Sequence, residues 1–434
     1  MRDIAMLLYY FFRARRLMGR FQTRAQLLAW QHARLGKFIA EILPKSPFYR
    51  AYGKQALNAF PYMTKSSMMA HFDNINTVGI SRENAFDVAL QAEQSRDFTP
   101  MIGDITVGLS SGTSGNRGIF LASANERLLW AGIMLAKALP GNLFKKYKIA
   151  FFLRANSNLY TTLTRNRRIQ FTFFDLTQPF NKHLSALQHY QPHIIVAPSG
   201  ILKYIAQAQD NADITISPQK IFAAAEVLDP ADKVYIEKIF KQAVQHIYQC
   251  TEGFLGISDA QGRLYLNEEY LYIEKDWVDQ ASGRFVPIIT DFSRVTQPIV
   301  RYRLDDILIE DRNVSSPFTY LKSVEGRCDD TFYFANNSGG LMPIFADSLR
   351  QMVTGCAVAC HEYKFTQSAI DRVDIALQPF PDAETQAQWQ NLFIHLAHQH
   401  GFIPPTLFFI PYQSPLPAMK LRRIERRFTL EADV

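Results

Sequence analysis

Apolar positions along the chain change rhythm as it proceeds. Through residues 1–75 they recur at helical spacing, as in Leu27, Leu28, Leu35, Phe38, Ile39 and Ile42, which predicts a mostly helical opening segment. Pro44 and Pro47 interrupt it, Pro61 marks a turn, and Thr64 or Ser66 is placed to cap a following helix. The run Ile4–Phe12 is apolar, and most of its positive charges follow it. Two readings stand for it: an amphipathic helix docked on the body, or a helix lying on a membrane surface. That charge order, with no small-residue cleavage site, argues against a signal peptide. No apolar run reaches the roughly 18–20 residues of a spanning helix.

From about residue 105 short apolar runs alternate with helical patterns. Strands are predicted over Ile105–Leu109, Lys148–Leu153, Ile169–Phe174, His193–Ala197, Ile221–Ala224 and Gln245–Tyr248, with helices at Asn125–Leu139 and Asn181–Tyr190 between them. Such alternation predicts α/β layers with largely parallel sheet. After 260 the strands crowd together at Arg263–Asn267, Leu271–Glu274, Phe285–Thr290 and Asp306–Glu310, which suggests antiparallel pairing. The polar stretch SVEGRCDD, residues 323–330, is a candidate hinge. Beyond it, strands at Thr331–Ala335 and Val373–Leu377 and helices at Phe345–Val353 and Ala383–His400 make a small α+β domain. The predicted class is therefore α/β: a large N-terminal body with layered sheets over residues 1–325, and a small mobile C-terminal α+β domain over residues 326–434.

Composition narrows the classes. The chain has 434 residues, 47% hydrophobic and 20% charged, which excludes disordered, collagen-like and low-complexity proteins. The net charge of +7 is mild for this length; part of it falls in the stretch Lys420–Arg427. It permits an anionic ligand without requiring nucleic acid. Four cysteines are too few for a disulfide scaffold, so a reducing, cytoplasmic location is expected. Cys356 and Cys360 stand four apart before His361, as metal ligands or as small buried thiols.

Five segments carry candidate chemistry. The first is Ser110-Ser111-Gly112-Thr113-Ser114-Gly115, running on to Asn116-Arg117-Gly118, after a strand-like run and before a helix-like one. Its glycines let backbone N–H groups approach phosphate oxygens, and its hydroxyls and Arg117 add donors and charge. It is either a phosphate loop or a Gly/Ser turn, and it lacks the G-K-[ST] ending of a Walker A loop. The second, Tyr248-Gln249-Cys250-Thr251-Glu252-Gly253, sets a hydroxyl beside a carboxylate at a strand end, suited to a phosphate contact and a Mg²⁺ ligand or simply to a turn. The third, Arg301-Tyr302-Arg303-Leu304-Asp305-Asp306, ends a strand in two carboxylates that could accept ribose hydroxyls or form a surface ladder with the arginines. The fourth is Gly326-Arg327-Cys328-Asp329-Asp330 at the hinge. In the fifth, Lys420–Arg427, five of eight residues are basic, as on a solvated face or a polyanion contact. Arg154 ends a strand and is either a partner for a substrate carboxylate or a structural arginine.

Taken in this order, the five segments resemble those of the adenylate-forming superfamily of acyl-CoA synthetases and adenylation domains. The similarity is to its phenylacetate–CoA ligase branch, near proteins related to the synthetases that adenylylate a deazaflavin coenzyme. SPFYR and FPYMTKSSM in the N-terminal part are similar to that branch as well. The resemblance implies an ATP-dependent ligase that converts a carboxylic acid to its adenylate and pyrophosphate, then passes the acyl group to CoA or to the phosphopantetheine thiol of an acyl carrier protein. It implies that Ser110, Ser111, Gly112, Thr113, Ser114 and Gly115 hold the β- and γ-phosphates. Thr251 would contact the α-phosphate, with Tyr248 in the same nucleotide-binding segment, and Glu252 would bind Mg²⁺. Ala224, Ala225 and Glu226 would flank adenine, Asp306 would take the ribose hydroxyls with Asp305 as a competitor, and Arg327 would contact nucleotide. Lys420 would reach in as the catalytic lysine. Departures include Gln249 where the family usually has glycine and PLPAMK around the lysine. Two other readings remain: an adenylyltransferase that leaves AMP on a cofactor or hydroxyl, and a silent nucleotide-binding scaffold. No nucleic-acid partner and no integral membrane segment are expected; a homodimer is left open.

Overall fold

The computed structural model describes residues 2–95, 99–110, 117–141, 145–153, 168–178, 180–355, 362–413 and 421–430. The fold is α/β, and the chain forms two compact units. One comprises Met1–Ala225, Tyr235–Leu304 and Leu308–Ser323; the other comprises Glu226–Val234, Asp305–Ile307 and Val324–Val434. Among the described residues no helix is long and apolar enough to cross a membrane.

The first unit opens with helices α1 (Arg2–Met18), α2 (Arg24–Glu41), α3 (Lys65–Ala70) and α4 (Arg82–Ser95). In α1, Leu7, Tyr10, Phe11, Ala14 and Leu17 recur every three or four residues and are buried, forming one apolar face. That face packs on α5 (Ala124–Ala138), where Gly132 permits the close approach: a Cβ there would lie 2.5 Å from Tyr10 Cβ. Thr64, one of the two predicted caps, closes α3 through a capping box with Ser67.

Strands β1 (Ile105–Leu109) and β2 (Ile119–Ala122) pair antiparallel in a small separate sheet. The glycine-rich loop therefore joins two strands of a hairpin, and the anticipated helix starts only afterwards, at α5. Ile119–Ala122 is only four residues long, and pairing with β1 is what makes it a strand.

The main sheet has twelve strands. Strands β3 (Tyr147–Leu153), β4 (Ile169–Asp175), β5 (Ile194–Ala197), β6 (Lys220–Ala224) and β7 (Val244–Cys250) are mutually parallel. Helices α6 (Phe180–Tyr190), α7 (Ser199–Asp210) and α8 (Pro230–Phe240) connect them, the crossovers that parallel pairing requires. The sheet turns antiparallel at β8 (Gly253–Ser258), which folds back on β7. It continues through β9 (Leu264–Leu266), β10 (Leu271–Asp279), β11 (Arg284–Asp291), β12 (Ile299–Arg303), β13 (Asp306–Glu310) and β14 (Tyr320–Arg327). The predicted switch from parallel to antiparallel is present. The stretch expected as a hinge, residues 323–330, is mostly strand β14 followed by one 3₁₀ turn at Cys328–Asp330, and the division between the two units falls within it, between Ser323 and Val324.

In the second unit, β15 (Phe332–Ala335) pairs with β16 (Leu341–Ile344), and helix α9 (Ala346–Gly355) follows. A four-stranded sheet holds β17 (Glu362–Ala369), β18 (Arg372–Gln378), β19 (Thr406–Pro411) and β20 (Ile424–Arg426). Helix α10 (Ala383–His400) buries Trp389 and Phe393 in the core of that unit. Its ends are capped by the Asp382 carboxylate, which accepts from the Thr385 N–H at 2.8 Å, and by Gly401 at φ 76°.

Candidate nucleotide site

At the base of the glycine-rich loop, the Ser110 N–H donates to the Gly118 carbonyl at 2.8 Å, and the Gly118 N–H donates to Ser110 Oγ at 2.7 Å. Ser110 is buried and ties the neck of the loop. Ser111, Gly112, Thr113, Ser114 and Gly115 lie outside the described residues. Arg117 forms a two-pronged ion pair with Glu93 of α4, at 2.7 and 2.9 Å, so its charge is matched within the unit.

Thr251 and Glu252 form the two-residue turn between β7 and β8, because Cys250 pairs directly with Gly253. This turn sits at the carboxyl end of the last parallel strand, the edge where open α/β sheets bind ligands. Gln249 accepts from Trp130 Nε1 of α5 at 3.2 Å and fastens the strand end to that helix. Glu252 Oε1 accepts from the Tyr302 hydroxyl at 2.8 Å. Beneath the turn lies the buried Asp291, which accepts from the Ser293 N–H and hydroxyl at 2.8 and 2.6 Å. Burial pushes the Asp291 carboxyl up, against the pull of those hydrogen bonds and of Arg294.

The segment 291–297 knots the site together. Glu126 caps α5 with Ser123 and also accepts from the N–H groups of Val295 and Thr296, at 2.8 and 3.0 Å, and from the Thr296 hydroxyl. Gln297 accepts from the Leu121 N–H of β2 at 2.8 Å and donates to the Ile119 carbonyl at 3.2 Å. Arg294 donates to the carbonyls of Leu121 and Thr251, at 3.2 and 3.5 Å, bridging hairpin and turn.

A third wall comes from the N-terminal part. Met63 bridges to Tyr302 beside β12, with its N–H on the Arg301 carbonyl at 2.9 Å and its carbonyl on the Arg303 N–H at 2.8 Å. Arg301, at φ 45°, holds Glu274 through two nitrogens at 3.1 and 2.9 Å and the carbonyls of Asn58 and Phe60 at 3.0 and 2.8 Å. Its guanidinium also lies 4.0 Å from the Tyr62 ring. The first arginine of the RYRLDD segment thus builds the wall that carries α3. Lys65, Met68 and Met69 of α3 line a pocket with Ser110, Gly118, Thr251, Glu252, Arg294 and Tyr302.

Three of the residues implied by the resemblance, Ser110, Thr251 and Glu252, line this pocket. Ala224 and Tyr248 lie on β6 and β7 in the same unit, and Ala225 follows β6 with a left-handed φ of 66°, a conformation that costs a non-glycine residue about 1 kcal/mol or more. Sequence reasoning did not assign Lys65, Arg294 or Tyr302. Tyr302 lay inside a quoted segment, and Lys65 followed a recognised cap; nothing local marks Arg294. Arg154 lies outside the described residues, as do Cys356, Cys360 and His361.

Glu226, Asp306 and Arg327 belong to the second unit. There the Glu226 carboxylate accepts from the Leu421 N–H at 3.2 Å, and the Asp305 carbonyl accepts from the Cys328 N–H at 2.7 Å. Lys420 lies outside the described residues. The residues after it are heavily matched. Arg422 pairs with Asp330 and, at 3.4 Å, with Asp329; Arg423 is buried against Asp232 at 2.6 Å and Glu362 at 3.0 Å; buried Arg426 donates to the Thr331 carbonyl at 3.0 Å. These arginines are structural ties within the second unit, not an open polyanion surface.

Among the described residues no group of three or more His, Cys, Asp or Glu forms a metal cage. Among the described residues that line the pocket, Glu252 is the one carboxylate. A Mg²⁺ that arrives with phosphates keeps most of its waters and needs only one or two protein carboxylates, so this donor set fits that ion.

The fold is that of adenylate-forming ligases. The structure of 2-hydroxyisobutyryl-CoA ligase in the postadenylation state with 2-HIB-AMP aligns with a TM-score of 0.65 at 14% identity, over 94% of this chain and 90% of that one. The amide bond synthetase McbA from Marinactinospora thermotolerans aligns at 0.53 and 10% identity, over 74% and 66%. The anthranilate CoA ligase AuaEII with anthranoyl-AMP aligns at 0.51 and 12% identity, over 73% and 66%. Among curated proteins, Protein CapK of Staphylococcus aureus is 24% identical over 244 residues, 54% of this chain and 52% of that protein. The chain thus spans about half the length of that relative. No family model matches.

Proposed function

We propose that this chain activates a carboxylic acid with ATP, forming an acyl- or aryl-adenylate, and passes the acyl group to a thiol of CoA or of a carrier-protein phosphopantetheine. The observation that carries this reading is the convergence of Thr251, Glu252 and the neck of the glycine-rich loop on one pocket, in a chain with the fold of adenylate-forming ligases. In the first step a carboxylate oxygen bonds to the α-phosphorus while the bond from that phosphorus to the bridging oxygen breaks. Pyrophosphate leaves with the electron pair. Catalysis of this kind is positioning and charge neutralisation.

Thr251 donates to the α-phosphate, and the N–H groups of residues 111–115 hold the β- and γ-phosphates. Lys65 and Arg294, which also line the pocket, offset negative charge on the leaving group. Glu252, oriented by Tyr302, holds Mg²⁺, which supplies charge neutralisation of the triphosphate. Ala224, Ala225 and Glu226 flank adenine, with Tyr248 in the neighbouring nucleotide-binding segment; Asp306 accepts the ribose hydroxyls and Arg327 contacts nucleotide. Lys420 stabilises charge on the α-phosphate and bridging oxygen, and residues 326–434 act as the mobile cap that carries it. In the second step the thiol sulfur attacks the acyl carbon and AMP departs. The test is acid-dependent exchange of labelled pyrophosphate into ATP across a panel of aryl, acyl and amino acids, with product masses recorded. Exchange with no acid, or a product that keeps AMP on a hydroxyl, would overturn the reading.

A further inference from the structure

Only one side of α1 is used by the fold. On the opposite side Arg2, Ala5, Tyr9, Phe12 and Arg16 recur at three- and four-residue steps, and all are exposed. Tyr9 keeps 57% of its surface in solvent, Phe12 58%, and Ile4 on the flank 49%. An exposed stripe with aromatic residues between arginines does not help a helix dock on its own body. It is the pattern of a helix lying in a lipid interface.

Charge singles out the same region. Residues 1–40 hold eight of the 47 Lys and Arg but one of the 40 Asp and Glu, so they sum to +7, as much as the whole chain, while the basic and acidic residues of the remaining 394 balance to zero. The C-terminal arginines do not compete as a basic surface, because Arg422, Arg423 and Arg426 are internally matched. Arg15 holds the carbonyls of Leu139 and Gly141, at 3.5 and 2.9 Å, and Arg20 stacks 4.6 Å from Trp30. Arg13 lies near Arg34, whose guanidinium is pushed down by burial and then by that neighbouring charge.

We propose that α1 docks this chain on an anionic lipid surface, with Tyr9, Phe12 and Ile4 entering the headgroup boundary and Arg2 and Arg16 meeting lipid phosphates. The exposed stripe runs along the back of a single helix and offers no groove for a protein segment. A flat anionic surface can engage its aromatic and cationic groups together.

The test is co-sedimentation of the full chain with vesicles of phosphatidylcholine alone or with about 30% phosphatidylglycerol. Binding to the anionic vesicles is expected to exceed binding to neutral ones by about tenfold and to fall steeply as salt rises toward about 1 M. Tyr9→Ser with Phe12→Ser, and separately Arg2→Gln with Arg16→Gln, should each weaken it about tenfold while the unfolding midpoint stays at the parent value. Equal binding to neutral vesicles, or unchanged binding by either double variant, would overturn the proposal. So would absence of vesicle binding, including a chain that binds only acidic polypeptides.

Discussion

The Tyr302 hydroxyl donates to Glu252 Oε1 at 2.8 Å, linking strand β12 to a turn fifty residues earlier. Tyr302 is buried, so it fixes the orientation of the carboxylate. Tyr302→Phe removes one hydrogen bond to a charged group, worth roughly 1.5–3 kcal/mol. It is expected to raise the magnesium concentration needed for pyrophosphate exchange. Glu252→Gln is expected to slow exchange about 100-fold or more. Exchange rates over a magnesium series, with unfolding midpoints as control, check both.

Lys420→Ala is expected to slow adenylation at least about 100-fold while nucleotide affinity changes little, because its proposed charge acts mainly on the transition state. Calorimetric ATP titration beside the exchange assay separates the two effects. A variant with parental exchange rates would remove Lys420 from the chemistry.

Arg301 ties Glu274 to the carbonyls of Asn58 and Phe60 through a planar fork. Lysine keeps the charge but cannot reproduce that geometry. Arg301→Lys is expected to cost about 2–3 kcal/mol of stability in denaturant unfolding and to weaken nucleotide binding through the displaced α3 wall.

Gly132→Ala places a methyl group 2.5 Å from Tyr10 Cβ and 2.9 Å from the Phe11 nitrogen. Backbone on one side leaves little room to yield, so a loss of about 1–3 kcal/mol is expected. Thermal unfolding monitored by intrinsic tryptophan fluorescence, to which Trp30 and Trp130 contribute beside Trp277 and Trp389, measures it.

Asp291 has its folded carboxyl pushed up by burial. The folded state therefore binds this proton more tightly than the unfolded chain does. The resulting contribution to stability is fully present below the ordinary carboxylate range and is lost as pH rises through the elevated folded value. Asp291→Asn should flatten that part of the curve when unfolding midpoints are compared from about pH 4 to about pH 8. A parental slope in the variant would refute the assignment.

Much of the fold is legible locally because apolar runs and helical periodicity announce it. Ile105–Leu109, Asp306–Glu310 and Ala383–His400 appear with the bounds their patterns suggest. Elements whose pattern depends on distant partners are not legible. Strand β17 reads EYKFTQSA, too polar to mark as a strand, yet Gln367 is buried because its amide exchanges hydrogen bonds with the backbone of Tyr333, at 2.9 and 2.7 Å. The same holds for the site. Thr251 and Glu252 stand out at a strand end. Lys65 and Arg294 join them only through tertiary folding, and Arg422 and Arg423 look like an open basic surface until their acidic partners are known.

The pocket draws its walls from Lys65, Ser110, Thr251, Arg294 and Tyr302. During synthesis none of the earlier segments has its full set of neighbours until the chain beyond Tyr302 has left the ribosome. Contacts of such wide sequence separation form late and slowly. A ligand of this pocket can therefore stabilise the finished first unit but cannot template its early folding, and the nascent helical and hairpin segments must persist on their own local packing until then.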